Sequence, residues 1–203
     1  KVVHLECCNN TDSTTIDNTH WIVAIDRSGS MGDLCRDGKT RLEHVLHSVN
    51  GLIGAWRENH SSLGTHYLSL VAFDHEPVTL CRGVPMDEAG KCDAIIDAAL
   101  KQLKPRGSTD IGKVLSHNRK LARSFRVTAE ANEASCRIHD ILLTDGEPTM
   151  GILHADQLAA AQKRQDDTRY VRIGFGRSHN SHVLSCLSRG PGSMHYFVDT
   201  LEK

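Results

Sequence analysis

Asp26, Ser28 and Ser30 alternate along Trp21-Ile22-Val23-Ala24-Ile25-Asp26-Arg27-Ser28-Gly29-Ser30-Met31, where a short apolar run ends in small polar residues and glycine. The run suits a strand buried on both faces. If the chain curls back after it, the three side-chain oxygens converge above the strand's carboxyl end. Carboxylate and hydroxyl oxygens are hard ligands, suited to Mg²⁺, Mn²⁺ or Ca²⁺ rather than to a thiophilic metal. A lone triplet of this kind also arises as an ordinary polar turn, so its meaning depends on what the rest of the chain brings to it.

Two further stretches bring oxygens of the same kind: Gly107-Ser108-Thr109-Asp110, and Leu142-Leu143-Thr144-Asp145-Gly146-Glu147-Pro148 at the end of a second apolar run. With them, the Asp-x-Ser-x-Ser motif followed by Met31 and Gly32 resembles the metal-ion-dependent adhesion site of the von Willebrand factor A domain family. In that family a threonine from a second loop and an aspartate from a third complete the site. The resemblance spans Trp21 to about Thr200. It implies a metal site made of Asp26, Ser28, Ser30, Thr109 and Asp145. Ser28 and Ser30 would bind the ion directly, Thr109 would join in the ligand-competent state, and Asp26 and Asp145 would act partly through water. It also implies a function: a metal-dependent adhesion or protein-binding module, not an enzyme, in which an Asp or Glu of a partner completes the coordination of Mg²⁺ (or Mn²⁺ or Ca²⁺). Family members usually continue into a C-terminal helix whose movement couples to the metal site. Only Leu201-Glu202-Lys203 follow here, so that switch is not carried over.

An ion held mainly by neutral hydroxyls keeps unneutralised positive charge and an open position for an incoming carboxylate. Neighbouring acids have plainer readings. Asp33 sits where the integrin β branch binds a second metal, but that branch has two consecutive acids and this chain has Asp33-Leu34, which fits a solvated loop acid. Asp110 suits a helix N-cap or a place behind the ligands. Glu147, at the mouth, would repel acidic neighbours. His44 with His47, and His179 with His182, have helical spacing but no third ligand for zinc. Cys35 reads as a packing residue or an incidental thiol.

Two other functions compete. A Mg²⁺-dependent phosphatase or phosphotransferase could use Asp26 as nucleophile. Haloacid-dehalogenase phosphatases, however, carry a second aspartate where this chain has Ser28. The third reading is a structural domain with a purely stabilising metal. A P-loop is ruled out, because Gly32 to Gly38-Lys39-Thr40 has one residue too many and does not directly follow the strand.

The elements that must position these residues follow from periodicity. Residues 1–20 read as an extension or entry linker with a possible short strand at Val2–Leu5, and residues 21–203 as the domain itself. Leu42, Val45, Leu46, Val49, Leu52, Ile53 and Trp56 recur at steps of three and four, predicting a helix from Thr40 to about Glu58. Strands are predicted at His66–Phe73, Val78–Leu80, Ile138–Thr144, Tyr170–Phe175 and Tyr196–Val198. The link from Phe73 to Val78 is too short for a parallel crossover, so that strand returns antiparallel at an edge. Helices are predicted at Lys91–Leu103, with Ile95 on its apolar side, and at Ile111–Phe125, Ala155–Gln165 and His182–Leu187. The expected fold is Rossmann-like: a doubly wound, mostly parallel sheet with one antiparallel edge strand and helices on both faces.

Composition narrows the partners. A chain of 203 residues, 39% hydrophobic and 24% charged, has the balance of one α/β domain. A net charge of −1 with no basic stripe argues against nucleic acid. No apolar run approaches the roughly 18 residues of a membrane span. Seven cysteines without a Cys-x-x-Cys pair suit thiols in a reducing compartment, so an intracellular location is expected over an extracellular one. Against this stand a possible Cys81–Cys92 staple and two glycosylation-type triplets, Asn9-Asn10-Thr11 and Asn59-His60-Ser61.

Overall fold

A computed structural model of the chain describes residues 17–58, 65–86, 91–132, 134–176 and 179–198. In chain order the described elements are β1 (Asp17–Asp26), α1 (Arg41–Glu58), β2 (His66–Phe73), β3 (Pro77–Pro85), α2 (Lys91–Leu100) and α3 (Ile111–Ala131). They continue as β4 (Ser135–Thr144), α4 (Ala155–Gln162), β5 (Thr168–Phe175), α5 (Ser181–Leu187) and β6 (Met194–Val198). The strands form one sheet in the order β3-β2-β1-β4-β5-β6. Only β3 runs antiparallel, at an edge beside β2. This is the doubly wound arrangement expected from the alternation of strands and helices.

The apolar run that opens the metal-like motif is the centre of the sheet. β1 pairs with β2 on one side and β4 on the other, with Ile25 opposite both Ala72 and Leu143. Because side chains alternate along a strand, Trp21, Val23 and Ile25 join the core beneath α1 and α2. Ile22 and Ala24 join the core beneath α3, α4 and α5. All five are at most 4% exposed, which is why this stretch reads as continuously apolar. Strand order reverses between β1 and β4, so the crevice at their carboxyl ends is the switch point where ligands bind in such sheets.

Several boundaries differ from expectation. β1 starts at Asp17 rather than Trp21, since Thr19 and His20 are buried and pair with His66 and Tyr67. α3 continues through Arg126 to Ala131, a stretch read from sequence as a polar connection. Tertiary contacts hold that extension: Arg126 donates to both carboxylate oxygens of Asp167 (2.5 and 2.7 Å) and to Gln165 (2.6 Å), and Ala129 is buried. α4 ends at Gln162 because Lys163 turns left-handed, with φ 46°. Ile95 is 48% exposed, off the buried side of α2. Cys81 and Cys92 are buried free thiols and form no staple; the Cys92 thiol donates to the Pro85 carbonyl. Val2–Leu5, Asn9, Asn59 and Leu201–Lys203 lie outside the described residues. Among the described residues, no helix is long and apolar enough to cross a membrane.

Candidate metal centre

Asp26 is the last residue of β1 and is fully buried. The chain leaves it through Ser28 into a short 3-10 turn, Gly29–Gly32, anchored by Met31, whose side chain is buried in the core under α1. This is the curl that convergence required. The Ser28 backbone N–H donates to Asp26 Oδ1 at 2.7 Å, and the Ser28 and Ser30 hydroxyls lie 3.2 Å apart. Ser30 Oγ then donates across the switch point to Asp145 Oδ2 at 2.5 Å. From the end of β4, Thr144 Oγ1 donates to Asp26 Oδ2, and also accepts from the Gly146 N–H. Asp26, Ser28, Ser30 and Asp145 therefore form one hydrogen-bonded cluster of oxygens.

Thr109, 2% exposed, reaches the same end of the sheet on a braced loop. Arg106 N–H donates to the Arg27 carbonyl (2.7 Å) and Gly29 N–H to the Gly107 carbonyl (3.0 Å), tying that loop to the exit of β1. On its other side the Thr109 carbonyl accepts from the N–H groups of Thr149 and Met150, both at 3.0 Å. Gly107 turns at φ +69°, and a Cβ there would press on His75 Nδ1 at 3.1 Å.

Two residues that organise the centre were not singled out from the sequence. Asp74 directly follows β2, and its side chain is fully buried. Its Oδ2 accepts from Arg27 Nε at 3.1 Å and from Arg106 Nε at 2.7 Å, while its carbonyl accepts from Asp110 N–H at 2.9 Å. Burial alone would raise the Asp74 pKa, but the Glu76 N–H and the two guanidiniums hold it below the usual carboxylate value. Asp74 thus clamps the Thr109 loop to the strand ends. A sequence signal existed, for Asp74 ends an apolar strand just as Asp26 and Asp145 do. The second residue, Arg41, places Nη1 3.0 Å from Asp145 Oδ2.

The remaining candidates take other roles. Asp110 caps α3, its Oδ1 accepting from Lys113 N–H at 3.0 Å. Asp33 is a largely exposed loop acid 3.7 Å from Arg41 Nη1. Glu147 is exposed at the mouth, with its N–H donating to Asp145 Oδ1. His44 is buried and pairs with Asp37 at 3.1 Å, whereas His47 is exposed. His179 stacks on Phe197, and His182 is exposed.

The electrostatics fit a hard cation. The Asp26 pKa is raised to about 7, first by burial and then by the charge of Asp145, against the bonds from Thr144 and Ser28. Two carboxylates buried this close resist ionising together, and a cation between them would remove that penalty. The donors are all oxygen, which suits Mg²⁺, Mn²⁺ or Ca²⁺. Among the described residues no three His, Cys, Asp or Glu side chains converge; the oxygen cluster consists of two acids and neutral hydroxyls.

Comparison with known proteins agrees with this architecture. The chain is similar in fold to BatB from Bacteroides thetaiotaomicron, a conserved hypothetical protein, at 20% identity and TM-score 0.63, covering 89% of this chain and 90% of that one. It is similar to the SpRpn10 VWA domain at 17% identity and TM-score 0.61, covering 89% and 87%. It also resembles proximal thread matrix protein 1 of the mussel byssus at 17% identity and TM-score 0.60, over 90% of this chain but 42% of that one. Comparison with curated proteins finds no match. The family model for the von Willebrand factor type A domain matches residues 22–203, through every element that builds the oxygen cluster, and the chain belongs to that family.

Proposed function

We propose that this domain is a metal-dependent protein-binding module. VWA domains are generally protein-interaction modules; the metal-dependent form of that role is our reading. A divalent cation, Mg²⁺ foremost, would be held by Asp26, Ser28, Ser30, Thr109 and Asp145. An Asp or Glu side chain of the partner would complete its coordination. The observation that carries this reading is the cluster joining Asp26, Ser28, Ser30 and Asp145 across the switch point, where burial and the Asp145 charge raise the Asp26 pKa. A group that gives up a proton to take a metal ion couples cation binding to pH. When bound, the cation supplies a Lewis-acidic position for a carboxylate. The chain's own residues orient the donors and keep the acids buried.

The competing enzyme reading finds less support. Asp26 is fully buried, and two residues on, the chain carries Ser28 rather than a second acid that could protonate a leaving group.

Pull-down in Mg²⁺ against chelator tests the proposal, followed by Asp→Asn or Glu→Gln replacement at the docking acid of the recovered partner. The expected cost is about 2–5 kcal/mol, the scale for removing one member of a desolvated charge contact. Thr109→Ala is expected to weaken capture more than it weakens Mg²⁺ binding, and Asp145→Ala to weaken both. Equal capture with and without metal, together with tolerance of every acidic replacement, would show that recognition uses another face.

A further inference from the structure

Arg41, the first residue of α1, sits in a formed seat against the oxygen cluster. Its side chain is 15% exposed, and Nη1 lies 3.0 Å from Asp145 Oδ2, 3.3 Å from the Ser30 carbonyl and 3.7 Å from Asp33 Oδ2. Its backbone N–H donates to the Asp33 carbonyl at 3.1 Å. On the opposite side the chain makes room for it at Gly176, which has φ +86°, and where a Cβ would come within 2.7 Å of Arg41 Nε. The guanidinium is therefore held by the turn after β1 and the loop after β4, with Gly176 just past β5 leaving room for it.

This position changes the charge of the centre. Asp26 and Asp145 together would neutralise a divalent cation completely and leave it little electrostatic demand for a third anion. Arg41 already compensates one of these charges through Asp145 Oδ2, the oxygen that also accepts from Ser30 Oγ. Among the described residues the other acid within 4 Å of the guanidinium is Asp33, which is 63% exposed, so water screens its charge. Summed over a divalent cation, Arg41, Asp26 and Asp145, the charges leave about one uncompensated positive charge, which a carboxylate can satisfy.

We propose that Arg41 is the specificity-determining residue of this site: its fixed charge lowers the affinity for the cation itself and raises the affinity of the loaded site for a carboxylate. The proposal rests on the metal-dependent reading above. It gives the guanidinium opposite effects on two ligands, which a purely structural clamp would not have. Arg41 and the cation compete for the electron density of Asp145, and their competition leaves the loaded ion open to an external acid.

The test uses Arg41→Gln and Arg41→Met to remove the charge and Arg41→Lys to keep it, each checked by its melting curve in chelator. Mg²⁺ affinity is measured by calorimetry. Carboxylate affinity is measured as saturable broadening of the acetate methyl resonance by Mn²⁺-loaded protein. The neutral variants are expected to bind Mg²⁺ at least tenfold more tightly than wild type and to need at least tenfold more acetate for the same broadening. Arg41→Lys is expected to stay near wild type in both. If wild type binds Mg²⁺ and the folded neutral variants bind it equally or less tightly, the Arg41 inference fails alone. If wild type binds no divalent cation, the metal-dependent reading fails, and this inference with it.

Discussion

Replacing Ser28 and Ser30 together by alanine is expected to abolish calorimetric Mg²⁺ binding while leaving the fold intact. Ser28 is buried and Ser30 half-buried just past the carboxyl end of β1, and their hydroxyls bond each other and Asp145. The change deletes two oxygen donors and the bond from Ser30 to Asp145. Arg41 still pairs with Asp145 Oδ2, so that carboxylate is not left without a partner. The expected loss of stability in chelator is about 1 kcal/mol, the scale for a hydrogen bond whose acceptor keeps another donor. The effect on ligand-linked stability is larger. At one hundred times the dissociation constant, Mg²⁺ would add about 2.7 kcal/mol to the wild type. The double variant should gain nothing, with its melting curve the same in Mg²⁺ and in chelator. Mg²⁺ binding undiminished in the double variant would remove the serines from the site.

The second large effect is a loss of stability in mild acid that originates far from the metal centre. His20 is fully buried, accepts or donates with Ser69 Oγ at 2.9 Å and lies edge-on to Phe125. Burial, and then Arg82, lowers its pKa to about 3. His139, stacked on Trp21, is lowered to about 3 by burial and then by Arg169, Arg137 and His66. The unfolded chain takes up these protons near pH 6.5 and the folded chain does not. The stability the two histidines contribute is therefore complete above about pH 6.5 and falls as the pH drops towards 3. By pH 5 the loss is about 2 kcal/mol for each histidine.

Asp26 has the opposite sign. Its folded pKa of about 7 is raised, so its contribution is fully present below the ordinary carboxylate value and is lost as pH rises through 7. In chelator it offsets roughly one histidine, so stability should fall by about 1 kcal/mol between pH 6.5 and 5. With saturating Mg²⁺ holding Asp26 ionised, the fall should be about 3 kcal/mol. Urea unfolding at the two pH values, with and without Mg²⁺, checks both numbers. With saturating Mg²⁺, a flat profile in His20→Gln with His139→Gln would assign the loss to these residues, and an unchanged slope would assign it elsewhere.

The sheet and the strand ends where the oxygen cluster forms are legible in the sequence because their signals are local. Trp21–Ile25 and Ile141–Leu143 are continuous apolar runs, and each delivers an acid within two residues of its end. The return of the chain between Phe73 and Pro77 is forced by its length, and β3 does run antiparallel there. What could not be read depends on contacts between distant residues. The last turns of α3 are held by Arg126 with Asp167, 41 positions away. Arg41 is 104 positions from Asp145, and nothing in Thr40-Arg41-Leu42 distinguishes a charged helix start from a residue seated on a metal-like site. The role of Asp74 depends on Arg27 and Arg106, which belong to different loops. Ile95 fits the apolar period of α2, yet it remains exposed.

Anomalous diffraction from crystals grown with Mn²⁺ tests the central claim most directly, since it locates the ion without assuming its ligands. The account predicts one strong peak at the carboxyl ends of β1 and β4, within about 2.2 Å of Ser28 Oγ and Ser30 Oγ, the span of hard-cation to oxygen bonds. Asp26 and Asp145 should lie around it, directly or one water removed. A saturating Mn²⁺ soak that leaves this crevice without anomalous density, or places the ion on other residues, would contradict it.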